Sequence, residues 1–146
     1  MQKRIYLFSL LVSLFFLSCQ ANETTPTNAA NTVIQNQKTI AVSLSNSDWV
    51  SKMTENPGMI LDVRTPGEFD QGYIEGAKLV DVSDASFLEN LSNLSVDRST
   101  PIYLYCRSGS RSKKAMAILK NDGYTEIYEM NDGIMGWQNE GLPIVK

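Results

Sequence analysis

From residue 39 onward, short apolar runs alternate with stretches in which apolar residues recur every three or four positions. Thr39 to Leu44 alternates well enough for a first strand. Ser45 to Glu55 carries Trp49, Val50 and Met53 on one face, the spacing of a helix, with Ser45 or Ser47 as its cap. Asn56-Pro57-Gly58 reads as a turn, and Met59 to Val63 as a strand that is apolar apart from Asp62. Pro66 to Gln71 fits a short helical turn containing Glu68 and Phe69. Tyr73 to Ala77 fits a bend, and Lys78 to Val82 another strand. Ser86 to Leu94 predicts a helix burying Phe87, Leu88, Leu91 and Leu94. Ile102 to Tyr105 is the next strand. Ser112 to Asn121 is a helix with Ala115, Ile118 and Leu119 inward and Gly123 just past its end. Thr125 to Met130 predicts a last strand. Gly133 to Glu140 predicts a short helix around Trp137, whose expected place is the core, closed by Gly141 and Pro143. Strands alternating with helices of this length predict an α/β fold with a mostly parallel central sheet flanked by helices. In such sheets function gathers beyond the carboxyl ends of the strands, where Cys106, Arg64 and Thr65 fall.

The first 38 residues follow a different pattern. In residues 1–18, Lys3 and Arg4 precede an apolar core, Ile5 to Leu17, too short to span a membrane comfortably. This is the layout of a secretory signal. The core runs into Leu17-Ser18-Cys19, which resembles the lipobox of bacterial lipoproteins, where the cysteine is lipidated and becomes the new N-terminus. Phe16 and Leu17 are bulkier than the usual pattern, and an ordinary cleaved signal or an uncleaved anchor are the alternatives. Residues 19–38 are rich in Asn, Thr, Gln and Ala and read as a flexible tether. Residues 39–146 have the size of one domain. The expectation is a monomer on the periplasmic face of a bacterial membrane, attached through lipid on Cys19.

Charge and composition narrow the chemistry. The chain has 13 Lys+Arg and 16 Asp+Glu. Losing Lys3 and Arg4 leaves 11 against 16, a net charge of −5. A nucleic-acid partner needs a basic face, so none is expected. There is no histidine, and the two cysteines are Cys19 and Cys106. No metal centre, cofactor or cysteine–histidine dyad is expected. With Cys19 lipidated, Cys106 has no disulfide partner, so it is either a buried small hydrophobe or a functional thiol.

The residues around Cys106 favour function. An apolar strand delivers it into Arg107-Ser108-Gly109-Ser110-Arg111, directly before a helix. Loop amides and a helix N-terminus carry partial positive charge, and two arginines add full charges, surroundings that lower a thiol's pKa and attract anions. Amides of Arg107 to Arg111 are expected to surround the sulfur, with Gly109 permitting the tight curl. Ser108 and Ser110 supply hydroxyl donors, and Arg107 and Arg111 attract an anionic substrate, although Arg107 also fits a merely solvated side chain and Arg111 one that orders the loop. Asp62 and Arg64 read as a structural pair bracing the loop, and Lys113 and Lys114 as a solvated helix face.

Three segments together carry a family resemblance. LDVRTPGEFDQGYIEGA (Leu61 to Ala77), IYLYCRSGSR (Ile102 to Arg111) and MNDGIMGWQNEGLPI (Met130 to Ile144) resemble, in order and spacing, the three signatures of the rhodanese (sulfurtransferase) family. Tyr73 replaces that family's usual His, and Asp132 replaces the first glycine of its Gly-Gly pair. The first change is expected to alter local hydrogen bonding, the second to require an accommodating backbone at Asp132. The resemblance implies a rhodanese-like three-layer fold. It also implies transfer of a sulfane sulfur from thiosulfate or a similar small anionic donor to a thiol or cyanide acceptor, through a Cys106 persulfide. The alternatives are a non-turnover persulfide or polysulfide carrier serving a partner protein, an oxyanion reaction such as arsenate reduction, and a silent interaction domain. A cysteine phosphatase uses Cys-x5-Arg around a phosphoryl group; here Arg111 closes Cys-x4-Arg, a ring one residue smaller that suits a sulfur atom.

Overall fold

The computed structural model describes residues 38–146. The signal segment, Cys19 and all of the tether before Lys38 lie outside the described residues. Five strands form one sheet in the order β1-β5-β4-β2-β3. These are β1 (Ile40–Leu44), β2 (Met59–Asp62), β3 (Lys78–Leu79), β4 (Ile102–Tyr105) and β5 (Glu126–Met130). Every pairing between neighbouring strands is parallel. A sheet of this kind needs cover on both faces. The helices are α1 (Asn46–Glu55), α2 (Pro66–Phe69), α3 (Phe87–Ser92), α4 (Ser110–Asn121) and α5 (Gly133–Asn139).

Two apolar clusters divide at the sheet, giving three layers. On one side Phe87 and Leu91 of α3 and Ala115 and Leu119 of α4 meet Leu61, Ile102, Leu104, Cys106 and Ile127. On the other, Trp49 of α1 and Ile134 and Trp137 of α5 meet Tyr103, Tyr105, Tyr128 and Met130. The period-2 alternation along β4 sends Ile102, Leu104 and Cys106 one way and Tyr103 and Tyr105 the other. All four residues of β4 are buried, as befits its central place. Trp137 lies in the core, its indole N–H donating to the Pro143 carbonyl at 2.8 Å.

Local details differ from the sequence pattern in three places. Strand β3 ends at Leu79 rather than Val82, because its partner β2 ends at Asp62 and the chain turns towards α2. Helix α3 spans only Phe87–Ser92; Leu88 is exposed, and Ser95 takes a left-handed φ of 53° just beyond it. Helix α4 begins at Ser110, two residues before the expected Ser112, so Ser110 and Arg111 belong to its first turn rather than to the loop. Ser45 caps α1 by accepting from the Asp48 N–H.

Candidate active site

Central strand β4 ends at Tyr105 and delivers Cys106 to the N-terminus of α4. The intervening turn is closed by Gly109, which caps α4 at φ 88°. An L side chain there would be strained, and its Cβ would also overlap the Asn131 carbonyl after β5. From below, α5 holds the turn: the amides of Ile134 and Met135 donate to the carbonyls of Cys106 (2.9 Å) and Arg107 (3.1 Å). Gly133, at φ 59°, makes this approach feasible, since a Cβ would lie 2.5 Å from the Cys106 carbonyl oxygen. Asp132, by contrast, sits at φ −97°, ψ −5°, in the bridge region open to non-glycine residues, and its Cβ packs where a side chain on Gly136 would collide. With those carbonyls turned towards α5, amides of the turn are free to face the sulfur.

The donors that reach Cys106 Sγ are the Ser112 hydroxyl, at 3.5 Å, and the backbone N–H groups of Ser112, Ser108 and Arg111. Burial pushes the thiol pKa up, but these hydrogen bonds to the charged form outweigh it and the net shift is downward. Positive charge at the α4 N-terminus acts in the same direction. Cys106 is 1 % exposed and unpaired with any other cysteine among the described residues.

The two arginines of the loop have different places. Arg111 does not point freely at an incoming anion: Nη1 and Nη2 donate to Glu68 Oε2 and Oε1 at 2.6 and 2.7 Å. Glu68 in turn accepts from the Thr65 amide and hydroxyl at 3.2 and 3.0 Å, tying α2 to α4 across the site. Arg107 is exposed and lines a cleft of about 410 Å³ with Glu68, Gln71, Met135 and Gln138. Ser108 and Ser110 are exposed as well.

The Arg111 guanidinium, opposed by partial burial and aided by Thr65, holds the Glu68 carboxyl down to about 2. A carboxylate whose folded value lies below its unfolded one contributes stability that is present above the ordinary carboxylate range. That contribution is lost as pH falls towards about 2. Urea unfolding at about pH 6 and about pH 3 should therefore show a larger acid loss in the native protein than in Glu68→Gln. Equal losses would mean that the pair contributes nothing to stability.

Asp62 and Arg64 form a buried pair behind the loop, 0 % and 5 % exposed. Arg64 Nε donates to both Asp62 oxygens at 2.9 Å, and Nη2 reaches Asp62 and also the Gly72 carbonyl at 2.8 Å. The Asp62 Oδ1 further accepts from the Arg64 amide at 3.0 Å. The pair fixes the route from β2 past α2 to the segment carrying Tyr73. Tyr73 stacks on Phe69 with ring centroids 3.9 Å apart and forms an antiparallel bridge with Val145.

Sequence reasoning overlooked three residues here. The pattern presents Ser112 only as the first residue of a helix; a hydroxyl in the first turn of the helix after a cysteine is the available signal. The pattern puts Glu68 in a short helical turn and gives no sign of its partner. Glu129, fully buried on β5 on the same face as Ile127, accepts from the Ser112 hydroxyl at 2.7 Å. Its signal was a lone charge within the buried stretch Ile127 to Met130.

Fold and site together define a sheet-supported thiol cradle. The rhodanese-like domain family matches residues 46–140, and the chain belongs to that family. It is 37% identical over 87 residues to a protein named sulfurtransferase from Allochromatium vinosum, covering 60% of this chain and 78% of that one. It is 29% identical over 98 residues to the tRNA uridine(34) hydroxylase of Chlamydia muridarum, where the match covers 64% of this chain but only 30% of that protein. Among solved structures, the polysulfide-sulfur transferase homodimer of Wolinella succinogenes superposes with a TM-score of 0.61 at 28% identity, covering 71% of this chain and 77% of that one. Rhodanese-like relatives of this chain thus include sulfurtransferases.

Proposed function

We propose that the protein is a sulfurtransferase that carries a sulfane sulfur on Cys106, taking it from thiosulfate or a similar anionic donor. The observation that carries this reading is the ring of N–H donors from Ser108, Arg111 and Ser112 around a thiol whose pKa they lower. The Cys106 thiolate attacks the outer sulfur of thiosulfate. A sulfur–sulfur bond forms, the bond to the sulfonate sulfur breaks, and sulfite leaves with the electron pair. The persulfide's terminal sulfur is anionic and faces the same amides, which stabilise it without reorganising. A thiol or cyanide then attacks that sulfur and the thiolate is regenerated. Likeness to a polysulfide-sulfur transferase supports polysulfide as a second donor of the same class.

Arg111 is held by Glu68, so attraction of the donor's anionic end falls to Arg107 at the cleft. Arg107→Ala should raise the KM for thiosulfate roughly three- to tenfold with kcat little changed, as expected for a solvent-screened charge that binds without reacting. Steady-state kinetics over a thiosulfate series check this.

The reading is tested by mass spectrometry of the full chain after thiosulfate. Gain of one sulfur atom on the peptide containing Cys106, discharged by cyanide, supports it; an unmodified Cys106 rejects it. A persulfide that forms but discharges slowly to small acceptors would assign the carrier role instead. The segment before the domain supports export and attachment through lipid at Cys19, which metabolic labelling with a palmitate analogue tests in the native and Cys19→Ser chains.

A further inference from the structure

Ser112 Oγ stands between two acidic groups. It lies 3.5 Å from Cys106 Sγ and 2.7 Å from Glu129 Oε1, with the Gly109 carbonyl oxygen at 3.0 Å. A hydroxyl has one proton and can donate to only one of these acceptors at a time. Glu129 is fully buried, and its Oε2 has no hydrogen-bond partner. A buried carboxylate with an unpartnered oxygen is costly to keep purely for structure. The chain also has no histidine to take a proton from the thiol.

We propose that Glu129 is a positioning residue that takes the Cys106 proton through Ser112 and so generates the nucleophile inside the fold. The thiol proton passes to Ser112 Oγ as the Ser112 proton passes to Glu129 Oε1. The S–H bond breaks, an O–H bond forms on Glu129, and the negative charge moves from carboxylate to sulfur. No charge is created. In the resulting state Glu129 donates to Ser112 and Ser112 donates to the thiolate, so every proton in the chain has an acceptor. Two neighbouring anions in one buried site repel strongly, so a proton kept between carboxylate and sulfur relieves the site of that repulsion.

The other groups facing the pair are few. Ser43 of β1 and Leu104 of β4 sit opposite Glu129 in register, and Gly109 covers Oε1. Of the charged groups, Arg111 of α4 faces Cys106, and Glu68 and Asp81 face Arg111. Arg107 lies outward on the cleft.

This inference rests on Cys106 being the reactive thiol of the proposed transfer, so its test uses no sulfur donor. The full chain is treated with iodoacetamide from about pH 4 to about pH 10, and alkylation is read at the Cys106 peptide by mass spectrometry. The native protein should show two rises separated by a plateau, the acid-side one depending on Glu129. Glu129→Gln keeps a hydrogen-bond donor towards Ser112 but accepts no proton, and should lose the acid-side rise. Ser112→Ala should show a single rise displaced to higher pH, because the carboxylate persists beside the sulfur. A single native rise that superimposes on the Glu129→Gln profile would overturn the proposal. Should the variants fail to fold, the native protein decides alone. Alkylating Cys106 removes the sulfur's charge and lets Glu129 ionise, so the infrared band of a protonated carboxyl should disappear; an unchanged carboxyl region overturns the inference. Sulfur loading without two-step alkylation would spare the transferase and reject the relay. Two-step alkylation without sulfur loading would do the reverse.

Discussion

Cys106→Ser should transfer no measurable sulfur from thiosulfate to cyanide, a loss of at least roughly a thousandfold, while unfolding in urea at nearly the native midpoint. The two effects separate for a physical reason. Serine fills almost the same volume and can accept from the same amides of Ser108, Arg111 and Ser112, so the turn between β4 and α4 keeps its hydrogen bonds. Its hydroxyl does not ionise in the range where the native thiol does, and oxygen forms no stable analogue of a persulfide. Transfer that survives the substitution would remove Cys106 from the mechanism and the proposed function with it.

Asp62→Ala should be strongly destabilising, costing about 3–5 kcal/mol in urea unfolding, because it leaves the buried Arg64 guanidinium without its carboxylate. Arg64 is 5 % exposed, and what remains to it is a hydrogen bond to the Gly72 carbonyl and the Tyr105 ring 5.7 Å away. Combining Asp62→Ala with Arg64→Met removes both charges and should recover a large part of the loss, since a buried pair contributes little net stability beyond an apolar replacement of similar volume. A single variant that loses less than about 1 kcal/mol would show that this region tolerates solvent.

The layered α/β architecture was legible because parallel strands buried on both faces, such as Ile102 to Tyr105, leave continuous apolar runs, while α1 and α4 leave a helical period. The three signature segments did the rest, and Cys106 stood out by its neighbours. Less legible was anything set by one side chain's choice of a distant partner. Arg111 reads from its spacing to Cys106 as an anion ligand or a loop brace, and what the sequence does not show is its partner Glu68, 43 residues away. Ser112 and Glu129 are 17 residues apart on different elements and meet only because β5 lies beside β4 under the start of α4. Boundaries failed where tertiary contacts overrode local pattern. Gly109 takes a left-handed turn against the Asn131 carbonyl that leads directly into α4, and beyond Leu79 the pairing with the β2 chain thins to the bonds from Val80 and Val82 to the Asp62 and Val63 carbonyls.

Parallel pairing of every strand gives the domain two unlike ends. Residue 38 leads into Ile40 at the amino end of the edge strand β1, whereas Cys106 lies past the carboxyl end of the central strand β4. A tag, bead or electrode coupled just ahead of residue 38 therefore grips the molecule at its blunt end and leaves the working end facing outward. Proteins immobilised that way should keep their full reactivity at Cys106, and coupling through Lys113 or Lys114, on the helix that starts at the sulfur, should reduce it.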